Sequence, residues 1–113
     1  MPHVLLVLAL WLGLGWASDG RAQAAPLPSF TLTVTDGVFS PQRLEVPAGQ
    51  RIRIVLKNQG PGPLEFENAE MNIEKILAAG AESFVVLPKL QQGEYAFVDE
   101  YNMVTGVMTV VAI

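Results

Sequence analysis

The sequence has no cysteine and one histidine, His3, in 113 residues. Without a thiolate the chain cannot build a disulfide framework, a zinc–thiolate site, an iron–sulfur cluster, a thiol catalyst or an ordinary blue-copper centre. Positive charge is also scarce: 7 Lys plus Arg stand against 11 Asp plus Glu, a net charge near −4. Phosphate binding demands a basic footprint, so the balance argues for no nucleic acid partner and against an anionic lipid surface. No Gly-x-Ser-x-Gly elbow is present, which with the missing Cys and His leaves little support for a hydrolase. What remains for binding chemistry is mostly carboxylate, in a chain of one-domain length.

Long apolar runs are limited to one. Val4 to Leu14 is an eleven-residue apolar stretch, followed by small and polar residues that end in Ala22-Gln23-Ala24. That is the order of a secretory signal. A membrane span needs roughly 20 apolar residues, and the run is about half that, so residues 1–24 read as a cleaved signal peptide with the scissile bond before Ala25. No Cys follows the run to carry a lipid. Cleavage removes His3, both Trp, Asp19 and Arg21, leaving an exported chain without His and with the same net charge. Residues 25–29 read as an extended lead-in and residues 30–113 as the domain.

The domain alternates. Phe30 to Thr35, Leu44 to Val46, Arg51 to Asn58, Leu64 to Glu67, Ser83 to Leu87, Glu94 to Val98 and Val107 to Ile113 each carry the period-two pattern of a strand. Asp36-Gly37, Pro47 to Gln50, Gly60 to Pro63 and Gln92-Gly93 separate them as turns. Met71 to Leu77 reads as a short helix, with Ile73, Ile76 and Leu77 on one face, Asn68 as its N-cap and Gly80 as its stop. The expected fold is all-β: an antiparallel Greek-key β-sandwich with one short helix.

Phe39 to Gly49 (F-S-P-x-x-L-x-V-x-x-G), a strand ending at Asn58, and Gly93 to Asp99 (G-x-Y-x-F-x-D) before a last strand opening at Gly106 resemble a cupredoxin. The resemblance covers almost the whole exported chain. It implies a metal pole between the loop after the Asn-ending strand and the loop before the last strand. The ligands differ: Pro63 to Glu67 stands where a His is usual, Asp99 where the Cys is usual, and Asn102 or Met103 where the second His is usual. Glu65 to Leu77 (E-F-E-N-A-E-M-N-I-E-K-I-L), with Ser83 to Leu87 and Gly93 to Glu100, is similar to the cupredoxin-like domain of EfeO-type proteins. It is also similar to the stand-alone periplasmic partners of Ftr-type high-affinity iron permeases. That resemblance implies a periplasmic protein that holds iron or copper through acidic residues. Glu65, Glu67 and Asp99 match its metal motif, and Glu70 and Glu74 match acids in the segment that follows.

The residues themselves support and compete with this. Glu65 and Glu67, at i and i+2 of a strand, leave the same face about 6.6 Å apart along the chain. With Asp99 and Glu100 at the same pole they would form a like-charge cluster that a cation relieves. Oxygen-only ligation suits hard ions, and sulfur from Met71 or Met103 would favour copper. Yet the alternation of Glu65 and Glu67 with Leu64 and Phe66 also describes a solvated face. Glu70 could serve a helix start, and the methionines could fill gaps in a core. Asp99 continues the inward series Tyr95, Phe97, so its carboxylate requires a metal or hydrogen-bond donors.

The expected metal set is therefore Glu65, Glu67, Asp99 and Glu100, with Glu70, Met71 and Met103 as completions and iron or copper as the ion. The expected role is iron delivery to a permease and other periplasmic iron-uptake components. Oxidation of ferrous iron would be only an accessory activity, because no residue here obviously tunes a redox potential. Membrane contact would run only through the partner, and a homodimer could share the site. The competing reading is a metal-free sandwich that docks on a periplasmic or membrane partner.

Overall fold

The computed structural model describes residues 26–113 and contains nine strands. The expected signal peptide and cleavage site lie outside the described residues. The strands are β1 (Ser29–Thr35), β2 (Val38–Ser40), β3 (Arg43–Val46), β4 (Ile52–Asn58), β5 (Leu64–Asn68), β6 (Ile73–Leu77), β7 (Glu82–Leu87), β8 (Gly93–Asp99) and β9 (Val107–Ala112). They form a four-stranded sheet, order β2-β1-β4-β7, and a five-stranded sheet, order β3-β9-β8-β5-β6.

The sandwich is all-β, but its sheets are mixed rather than antiparallel. β1 pairs parallel with β4, and β3 pairs parallel with β9. Parallel neighbours need a crossover. After the β1–β2 hairpin the chain crosses at Pro41-Gln42 to place β3 in the other sheet, then returns through Pro47 to Gln50 to lay β4 beside β1.

The expected helix is a strand. Residues 73–77 pair antiparallel with β5, Glu67 opposite Glu74 and Glu65 opposite Ile76. Asn68 does make the bond expected of an N-cap, accepting the Met71 N–H at 2.9 Å. The bond closes a turn instead: Asn72 donates to Ala69 O at 3.1 Å and takes φ +55°, and the chain doubles back. A seven-residue helix forms too few internal bonds to offset its nucleation. As a strand the same residues complete the sheet and still seal Leu77 into the core.

Both inner faces supply the core, which includes Leu32, Val34, Ile54, Leu56 and Leu87 from one sheet and Leu64, Phe66, Phe97 and Val110 from the other. Phe66 stacks on Phe97 with ring centres 4.7 Å apart and meets Phe39 edge-on at 5.8 Å. Each such burial stabilises by about 1.5–3 kcal/mol. This packing fixes register, since a slip of one residue would turn the β5 glutamates inward. Among the described residues no helix is long and apolar enough to cross a membrane.

Candidate functional site

Alternation sends Leu64 and Phe66 of β5 inward, so Glu65 and Glu67 stand on the outer face of the five-stranded sheet. The neighbouring strands add to that face. Glu74 of β6 lies opposite Glu67, and Val98 of β8 lies on its other side. Glu100, just past β8, is tied beside Glu65 by its backbone N–H, which donates to Glu65 O at 2.9 Å. The result is a grid of four glutamates, bordered by the exposed Ile76.

Ligand oxygens of Glu65, Glu67 and Glu74 all lie within 4.8 Å of one another. None of the four glutamates has a salt bridge among the described residues, where Arg43 with Glu94 at 3.0 Å is the ion pair formed. The charge crowding has a measurable consequence. Contact with the Glu100 carboxyl, then partial desolvation and the charges of Glu100, Glu65 and Glu74, push the Glu67 pKa up to about 7. Desolvation, then contact with Glu74 and the charges of Glu74, Glu100 and Asp99, raise Glu65 above the ordinary carboxylate range. Beside the cluster an open depression of about 200 Å³ is lined by Glu67, Asn68, Ala69, Glu70, Ala96, Val98 and Glu100.

Three of the expected residues, Glu65, Glu67 and Glu100, thus share one face. Glu74 joins them through the β5–β6 hairpin. Sequence reading had placed it on a helix, and the signal that could have found it is the Ile73-Glu74-Lys75-Ile76-Leu77 segment read with period two. Glu70 stands exposed in the hairpin turn at the rim of the depression. Met71 packs against the core, while Met103 is exposed in the loop between β8 and β9.

Asp99 sits elsewhere. Its side chain is fully buried at the inner pole, where Oδ1 accepts the N–H groups of Glu65 (3.0 Å) and Tyr101 (3.1 Å) and Oδ2 accepts Asn102 Nδ2 (2.9 Å). The inward carboxylate is therefore partnered by hydrogen-bond donors.

The family model for the cupredoxin-like domain matches residues 4–110, and the chain belongs to that family. An uncharacterised protein of Rickettsia prowazekii (strain Madrid E) is 28% identical over 75 residues, covering 66% of this chain and 60% of that protein. The match therefore spans less than two thirds of the relative's own length. Among solved structures, a copper-binding protein in its apo form shares 24% identity over 78% of this chain and 91% of that one, with TM-score 0.63. The metal-binding domain of the Cu(I)-exporting P-type ATPase CopA of Streptococcus pneumoniae gives TM-score 0.63 at 11% identity, covering 81% and 91% of the two chains. Auracyanin of Roseiflexus castenholzii gives TM-score 0.63 at 12% identity, covering 79% and 99%. At these identities the structural likeness establishes the sandwich fold alone.

Proposed function

We propose that this protein binds a metal cation on the outer face of its five-stranded sheet, through Glu65, Glu67, Glu74 and Glu100. The observation that carries the reading is the convergence of Glu65, Glu67 and Glu74 oxygens within 4.8 Å, with no salt bridge to any of them among the described residues. A divalent or trivalent ion supplies the missing positive charge, and its binding displaces the proton that crowding retains on Glu67.

The copper centre that the fold family implies does not fit the pole. The chain has no Cys, its one His lies outside the described residues, and the Asp99 oxygens already accept three donors. An all-oxygen set instead favours hard ions such as iron and manganese, while Cu²⁺ remains a carboxylate-bound competitor.

The similarity of Glu65 to Leu77 to EfeO-type domains supports the finer reading, a periplasmic iron carrier that delivers its ion to a permease or presents it for oxidation. Iron is then cargo. A second reading, a metal-free docking module, has its own observation: Tyr101 (51%), Met103 (58%) and Val104 (93%) are exposed on the loop after β8.

Calorimetric titration of the purified protein with Fe²⁺, Fe³⁺, Mn²⁺ and Cu²⁺ separates the two. The carrier reading expects saturable binding tighter than millimolar that Glu67→Gln with Glu74→Gln abolishes. Binding that survives the double substitution, or none at all, removes it and leaves the docking module.

A further inference from the structure

Asp99 supplies no ligand to the outer-face site, yet it is densely hydrogen-bonded beside it. Besides the three side-chain bonds, Asp99 N–H donates to Gly106 O at 2.7 Å, Asn102 N–H to Asp99 O at 2.9 Å and Gly106 N–H to Asn102 O at 2.7 Å. The packing leaves no spare volume. A Cβ at Gly37 would lie 2.6 Å from the Asn102 side chain, and one at Gly106 would lie 2.7 Å from both Asn102 O and Asp99 Cβ.

We propose that the buried Asp99, held by Asn102 from the loop after β8, forms a lock that positions the outer-face carboxylates, and that Asp99 itself holds no metal. Glu65 is gripped at two points. Its N–H donates to Asp99 Oδ1, and its carbonyl accepts the Glu100 N–H. The lock thereby sets Glu65 and Glu100 side by side, while Asp99 points inward on the same face of β8 as Phe97. A carboxylate only accepts, and a cation at Asp99 would meet three donor hydrogens aimed at the same two oxygens.

The exchange of the two side chains tests this. Asn102→Asp alone sets carboxylate against carboxylate, whereas Asp99→Asn alone is met by a turn of the exposed Asn102 amide that presents its Oδ1 as acceptor. Asn102→Asp is expected to lower the thermal midpoint by about 5 °C or more. Together they rebuild one amide–carboxylate bond, and most of the loss is recovered. Additive losses in the double variant would overturn the lock.

The metal arm rests on the outer-face reading and uses anaerobic Fe²⁺ as the probe. Asn102→Ala removes a donor and frees Asp99 Oδ2. A positioning role then weakens Fe²⁺ binding by roughly ten- to a hundredfold, as when a group that orients a metal ligand is lost, whereas an Asp99 that ligates iron would bind it as well or better. Equal or tighter binding overturns the proposal. If the unsubstituted protein binds no Fe²⁺, the outer-face reading falls, and the thermal arm still decides the lock.

Discussion

Glu67 and Glu74 stand directly opposite each other on adjacent antiparallel strands, and neither forms a salt bridge among the described residues. Like charges in that relation oppose strand pairing. The pairing persists because the inner face of the same two strands seats Leu64, Phe66 and Leu77 in the core. The sheet therefore holds in place an arrangement that its own outer face disfavours, and a bound cation is the simplest relief.

Ile76 lies opposite Glu65 and is 58% exposed, so it can be replaced without opening the core. Ile76→Lys places a cation beside the cluster. The metal-free protein should then unfold at a higher temperature at pH 8, and metal should bind more weakly by roughly three- to tenfold. Thermal melts and titration of the one variant check both. Unchanged affinity would place the metal elsewhere.

The cluster also fixes a pH dependence. Glu67 has its folded-state pKa raised to about 7, above the ordinary carboxylate value of 4.5. Between those values the folded state holds more protons than the unfolded state, so this group's contribution to stability is full below 4.5 and is lost as pH rises through 7. Metal-free protein should melt higher at pH 5 than at pH 8, and Glu67→Gln should flatten that difference. A steeper difference in the variant would contradict the assignment.

Asn58 closes the other end of β5 and β6. It is buried, its Nδ2 donates to Gly62 O (3.0 Å), Leu77 O (3.2 Å) and Ala78 O (3.1 Å), and its Oδ1 accepts the Gly60 N–H (3.0 Å). Asn58→Ala strands these backbone groups and should cost about 1–3 kcal/mol in denaturant unfolding. A cost within experimental error would show that the loop re-forms its bonds with water.

Much of this architecture is legible in the residues. Seven strands announce themselves by alternation and by the Gly and Pro between them, and Glu65 and Glu67 announce their shared face. The three-residue β2 is too short to carry a pattern. Residues 71–77 mislead for a physical reason: seven residues with Ile73, Ile76 and Leu77 satisfy a helical stripe, while the partner that makes Ile73–Leu77 a strand is supplied by the tertiary fold. Glu74 was misplaced with them, which hid the cross-strand relation at the centre of the cluster. The inward aim of Asp99 follows from Tyr95 and Phe97, but nothing local shows that its acceptors meet the N–H groups of Glu65 and Tyr101.

Proton release on metal binding tests the central claim most directly. The Glu67 pKa raised to about 7 gives its carboxyl a proton below neutral pH in the metal-free protein, and a metal that uses it must expel that proton. Fe²⁺ titrations in buffers of different ionisation enthalpy should report release of close to one proton at pH 6, falling toward none at pH 8, and the release should vanish in Glu67→Gln. Binding without proton release, or release unchanged by Glu67→Gln, would contradict the account.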